Sequence, residues 1–177
     1  LNETDRETIT EMVFGEDGLK PGVIKMFLDS FHQMEPGGPF DHTTTANYMT
    51  DFIEDGVKRT RARGVDPETV ITLYGPPWWG TKQKVLRGQD LDPAMKEAVA
   101  DYIIEWARYL REERGINVRY LSLHNEGEDW ARWPDDGGDN AHYFRHDYNM
   151  YWPPEQVVDF LRFMPERVKT AGLEGVS

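Results

Sequence analysis

Cysteine is absent from the 177 residues. That removes disulfide frameworks, thiolate nucleophiles and cysteine-based zinc sites together, and because cytosolic and bacterial secreted proteins both tolerate it, the compartment stays open. Basic residues are scarce: 20 Lys and Arg face 32 Asp and Glu, a formal charge of −12. Most of such a surface repels a nucleic-acid backbone or an anionic membrane, so neither is expected as a partner. No apolar run reaches membrane-spanning length, and the opening LNETDRETIT is polar and lacks an initiator Met, so no signal peptide or anchor is visible and the start reads as processed or cut. No glycine-rich phosphate turn follows any apolar run, which argues against dinucleotide and P-loop chemistry.

What is present is a chain 38% hydrophobic, enough for one domain with a core. Its grammar repeats. Residues 3 to 14 read as a helix with Ile9, Met12 and Val13 on one stripe, stopped at Gly15. The apolar run GVIKMFL suits a buried strand. TTTANYMTDFIEDGVKRTRARG then carries Tyr48, Phe52, Ile53 and Val57 at helical spacing, and TVITLY follows as a second strand. Asp92 and Pro93 cap a helix whose Met95, Val99, Ile103, Trp106 and Leu110 share a face until Gly115. VRYLSLHN is the third strand. A last helix from PPEQ carries Val157, Phe160, Leu161, Met164 and Val168, meets Pro165, where a bend is expected, and stops at Gly172. Three helices thus end alike, in RARGVD, EERGIN and KTAGLE, with a glycine to relieve a left-handed turn. Strands alternating with amphipathic helices predict a parallel sheet, in an open doubly wound form or a (β/α)8 TIM barrel. GLEGVS reads as the start of a fourth strand. A barrel of this unit size needs about 250 residues, so residues 1–177 are expected to be the N-terminal part, roughly the first half, of one barrel domain.

The stretch LSLHNEGEDW, residues 121 to 130, ends an apolar strand in a cluster of acid. Alternation puts Leu121 and Leu123 on one face and Tyr120, Ser122, His124 and Glu126 on the other. In a barrel the second face points inward and becomes polar at the C-terminal rim, where such folds build their active sites. Burial there would raise a carboxyl pKa toward the range a general acid needs, and Glu126 is the best-placed candidate. Asn-Glu-Gly after a strand is equally ordinary turn chemistry. A metal site from His124, Glu126, Glu128 and Asp129 is a further reading, although no spacing matches a recognised zinc motif. The second strand ends in ITLYGPPWWGTK, where two prolines stiffen a turn that presents Trp78 and Trp79. Of six tryptophans, only Trp106 falls on a core-like helix face; Trp78, Trp79, Trp130, Trp133 and Trp152 fall after strands or just before a helix. Aromatics gathered on one rim make a surface for sugar rings, while each one singly could simply pack a loop. Asp29 and His32, after the first strand, read as solvated loop residues or subsite contacts.

On these residues the chain resembles clan A glycoside hydrolases, and most of all glycoside hydrolase family 30. The similarity runs from ETDRETITEMVFGEDG through the Pro-Pro-Trp turn at residues 76 to 78 and the Asn125-Glu126 pair to PPEQVVDFLRFMPERVKTAGL. The resemblance implies that the strand ending in Glu126 is the family's fourth, that Glu126 is the acid/base of a retaining double displacement on a β-linked glycan, and that Asn125 holds the sugar 2-hydroxyl. Retention needs a second carboxylate roughly 5–5.5 Å away, which the family carries at the end of its seventh strand, beyond this chain. Lys25 stands where the family usually has arginine, which bears on orientation of the nucleophile, and HNEGED replaces the usual Asn-Glu-Pro, which implies an atypical loop and substrate.

The candidate substrate contacts are therefore Asn125, Trp78, Trp79, His124, Tyr74, Asp29 and Trp130, with Glu126 catalytic and no metal or other cofactor. The expected partners are an oligosaccharide or polysaccharide and the remainder of the barrel, from the same longer polypeptide or a partner chain. By the resemblance alone, a secreted or periplasmic location is favoured. A non-catalytic carbohydrate-binding barrel and a metal-dependent hydrolase or isomerase on the same fold are the alternatives.

Overall fold

A computed structural model of the chain describes residues 2–44, 47–86, 88, 90–125 and 152–177. The elements follow the expected order: α1 (Glu3–Phe14), β1 (Val23–Phe27), α2 (Asn47–Ala62), β2 (Glu68–Thr72), α3 (Lys96–Glu112), β3 (Val118–Ser122) and α4 (Pro154–Thr170). The three strands form one sheet in sequence order, every pair parallel. Ile24, Met26 and Leu28, with Ile71, Leu73 and Leu123, turn one face of it into the core, where α3 contributes the wholly buried Tyr102, Trp106 and Leu110. Parallel strands need long crossovers, and amphipathic α2 and α3 supply them while covering that face.

On the opposite face the outer strands are exposed among the described residues, while Thr72 on the central strand is buried. Val23 is 58% exposed, Phe27 53% and Tyr120 40%, although parallel sheets ordinarily have both faces covered. Val23 pairs with Glu68 and Phe27 with Thr72, without a slip along β1 and β2. Between β2 and β3 the register shifts once, at Thr69/Val70. Arg119 is the extra residue, and the bulge restores the alternation that sends Leu121 and Leu123 toward the helices.

The three expected helix stops have the predicted backbone: Gly64, Gly115 and Gly172 lie at φ of 80°, 63° and 73°. The expected fourth strand shows as a single step on the outer edge of β3. Ser177 N–H donates to the Arg119 carbonyl and the Ser177 carbonyl accepts from Leu121 N–H, both at 2.9 Å.

Other particulars differ. Asp92 caps a single 3-10 turn, Pro93–Met95, before α3 begins at Lys96. Helix α4 continues through Pro165, which lies on its exposed side, so the missing N–H falls where water can meet the freed carbonyl. On α1 the expected stripe is kept only at Val13, which packs against the core; Ile9 and Met12 are exposed, Met12 at 66%, and Thr10 and Phe14 are buried instead. On α2, Tyr48 is 87% exposed while Ile53 and Val57 are buried. The reason lies at the contact between the two helices. Phe14 packs against Phe52, ring centroids 5.5 Å apart, and over Gly56, so the rotation of α1 follows the one place on α2 without a side chain.

A Cβ on Gly56 would overlap the Phe14 ring. Gly56→Ala should therefore lower stability by about 1–3 kcal/mol of overpacking, less about 1 kcal/mol of gained helix propensity. The denaturant midpoint checks this: a raised midpoint would mean that Phe14 yields without cost.

Candidate functional site

The C-terminal ends of the three strands converge. The ladder runs one residue past β1 and β2, with Leu28 N–H donating to the Thr72 carbonyl at 3.0 Å and Leu73 N–H to the Ser122 carbonyl at 2.9 Å. Tyr74 and Asn125 both leave the sheet just beyond this rung. Lys25 reaches both of them: its Nζ lies 3.2 Å from the Tyr74 hydroxyl, 3.5 Å from Asn125 Oδ1 and 5.1 Å from the Tyr74 ring centroid. Phe27 meets the same ring edge-on, centroids 4.7 Å apart at 85°. Lys25, Phe27, Tyr74 and Asn125 thus form one cluster at the strand ends. The sequence signal for Lys25 is a single cation in an otherwise apolar strand, VIKMF.

The tandem tryptophans divide. Trp78 is 42% exposed, its indole N–H donating to the Met34 carbonyl at 3.1 Å. Trp79 is 2% exposed and donates to the Gln33 carbonyl at 3.2 Å. The expectation that both indoles face a ligand is therefore corrected for Trp79, whose ring is withdrawn into the core. Successive residues of the 3-10 turn Trp78–Gly80 point to different sides, and the inner side is already core: Trp79 stands edge-on to Tyr102 at 6.0 Å. Trp152 is likewise buried, at 2% exposure, against Phe160. Its neighbour across 6.4 Å is His124, half-buried, whose ring sits against this aromatic pair.

Asp29 is corrected from a subsite contact or solvated residue to a buried one, 3% exposed. Its carboxylate accepts from Phe31 N–H at 2.9 Å and from the Thr44 hydroxyl, and its carbonyl accepts from the Tyr102 hydroxyl. A carboxylate held this way closes the loop after β1 rather than meeting a ligand. His32, in the same loop, is fully buried among Tyr102, Trp106, Phe40 and His42, at ring distances of 4.0, 5.2, 5.3 and 5.7 Å. Burial foremost, with the nearby His42 adding to it and Asp29 opposing, lowers its pKa from 6.5 to about 3. His42 is shifted the same way, again chiefly by burial.

Glu126 and Trp130 lie outside the described residues, as do Glu128, Asp129 and Trp133. Among the described residues no group of three or more His, Asp or Glu side chains is arranged to hold a metal, and no described helix is long and apolar enough to cross a membrane.

No protein-family model matches the sequence, and no curated protein matches it. Solved structures do. SrfJ from Salmonella typhimurium superposes with a TM-score of 0.74 at 14% identity, over 100% of this chain and 39% of that one. The catalytic domain of GH30 xylanase C from Talaromyces cellulolyticus gives 0.69 at 14% identity, over 99% and 41%. This chain shares the fold of glycoside hydrolase family 30 catalytic domains. The endo-β-1,6-glucanase BT3312 adds a TM-score of 0.63 at 16% identity, over 97% and 38%. The chain therefore spans about two fifths of the length of the structures it matches, and at such identities the likeness is one of fold.

Two measurements test how the strand-end loops are held. Trp79→Ala should cost about 3–5 kcal/mol, as for other buried large aromatics, whereas Trp78→Ala should cost far less; equal midpoints for the two variants would contradict the burial. His32 supplies the second. The unfolded chain takes up its proton near pH 6.5 and the native one only near pH 3, so stability should fall as pH drops through that window and be unaffected above it. His32→Phe keeps the ring stacking and removes the proton, so the variant should show a flatter decline between these pH values; an identical decline would mean that His32 is charged in the native state.

Proposed function

We propose that residues 1–177 form the N-terminal part of a TIM-barrel catalytic domain of a retaining glycoside hydrolase that cleaves a β-linked glycan. The observation that carries this reading is the cluster of Lys25, Tyr74 and Asn125 at the C-terminal mouth of a parallel sheet whose fold is that of family 30 catalytic domains. In barrels that mouth is where chemistry is built. The exposure of Val23, Phe27 and Tyr120 on the outer strands supports a remainder of the barrel, contributed by the same longer polypeptide or by a partner chain.

In this reading Glu126, which follows Asn125 directly, protonates the glycosidic oxygen as the bond to the leaving sugar breaks and then removes a proton from the water that releases the glycosyl-enzyme intermediate. Asn125 holds the 2-hydroxyl of the sugar at the cleavage subsite, and Tyr74 lines the same mouth. Trp78, tethered through its indole N–H but with much of the ring exposed, stacks on a neighbouring sugar face. The nucleophile belongs to the part of the barrel outside this chain. Xylan and β-1,6-glucan are the first substrates to try, because neighbours of this fold are named for them.

Glu126→Gln should lower turnover of the native polypeptide by about 10²–10⁴-fold while leaving glycan binding nearly intact. It should also remove the alkaline limb of the kcat/KM profile, because the group that must be protonated is gone. Aryl glycosides whose leaving group needs no proton should suffer less in the bond-breaking step. An unchanged rate and profile on the polysaccharide would rule out Glu126 as the acid.

A further inference from the structure

We infer that Lys25 is the positioning residue of the strand-end cluster: its ammonium decides which end of the Asn125 amide, and which side of the Tyr74 phenol, meets a ligand. The inference deepens the glycosidase reading and rests on it for the sugar contact at Asn125, but the geometry stands by itself.

Lys25 is on β1 and Asn125 follows β3, with β2 between them. Strands two apart lie roughly 9–10 Å from one another, a gap that a long side chain can bridge over the middle strand. Lys25 does so, passing the face of the Tyr74 ring, with Nζ 3.2 Å from the Tyr74 hydroxyl and 3.5 Å from Asn125 Oδ1. Phe27 holds that ring from its edge, so the tyrosine over which the lysine lies is itself oriented by packing.

An ammonium donates and never accepts. The Asn125 amide must therefore turn its oxygen toward Lys25 and its NH2 to the opposite side. The Tyr74 oxygen, accepting from the same ammonium, directs its own O–H elsewhere. Both residues then approach a ligand as donors. What they recognise is an acceptor oxygen, such as a hydroxyl lone pair, rather than a donor N–H. A neutral side chain at position 25 would remove the donor that holds the amide oxygen and the phenol oxygen on this side.

The test uses the native polypeptide and two probes, a xylo-oligosaccharide and a β-1,6-gluco-oligosaccharide, together with a readout that needs no glycan. Lys25→Met should move the Asn125 side-chain amide resonances in the ¹⁵N–¹H spectrum. Lys25→Arg, whose guanidinium is also donor-only, should leave them close to the parent positions. With whichever probe binds, Lys25→Met should weaken affinity by about tenfold, the scale of one hydrogen bond to a charged group, and Lys25→Arg should restore most of it. In an Asn125→Ala background the same Lys25→Met change should have little further effect. The inference is overturned if Lys25→Met leaves the Asn125 resonances in place, or if it weakens binding equally with and without Asn125. Should Asn125→Ala alone leave affinity and turnover unchanged, the assignment of Asn125 as a sugar contact fails, whereas the resonance arm still decides the role of Lys25.

Discussion

The parallel pairing of β1, β2 and β3 is the constraint on which the remaining structure rests. Parallel strands send all their C-terminal ends to the same edge of the sheet, so residues from three distant parts of the chain must emerge together. They also require crossovers long enough to return to the starting edge, and the apolar stripes of α2 and α3 make those crossovers one wall of the core. Register carries the chemistry with it. Because Lys25 lies opposite Val70 and Tyr120, a lysine projecting from that rung passes over β2 and reaches Tyr74 and Asn125 at the strand ends. A slip of one residue in β1 would send the same lysine into the core, where an unpaired ammonium is strongly disfavoured.

The loop after β1 is the second structural decision. Chain this long and rich in polar residues stays in place only if something holds its backbone, and the holders come from elsewhere: Trp78, Trp79 and Tyr102 each donate a ring N–H or O–H to a carbonyl of residues 29 to 34. Asp29 closes the turn from within, and His32 fills the space beneath as an uncharged aromatic. Aromatic residues with one polar atom suit this task, since they bury a large apolar ring and still satisfy a backbone acceptor. Of the three described tryptophans outside helix stripes, Trp79 and Trp152 are buried, and Trp78, though it too holds the loop, keeps an exposed ring.

Local rules accounted for most of the architecture. Element order, the parallel sheet and the three glycine stops with positive φ could be read directly, because helix and strand periods, caps and left-handed turns depend on residues a few positions apart. The placement of Leu121 and Leu123 toward the helices was legible for the same reason. Which side of α1 is buried was not: Thr10 and Phe14 face inward because Gly56, more than forty residues away, leaves room for a ring. The bulge at Arg119 was also invisible, since it arises from how β2 and β3 match rather than from either strand alone.

The candidate site divides along the same line. That residues of strand ends would gather at one rim followed from the βα repeat, and with it came Tyr74, Asn125 and an exposed Trp78. The sequence by itself determined the period of each element and therefore which side chains could share a face. Only the tertiary structure decided that Lys25 joins the cluster, that Asp29, Trp79 and Trp152 are withdrawn from the surface, and that His32 stays neutral. Each of those outcomes depends on contacts between segments far apart in the chain, and burial, unlike periodicity, is a property of what lies on the other side.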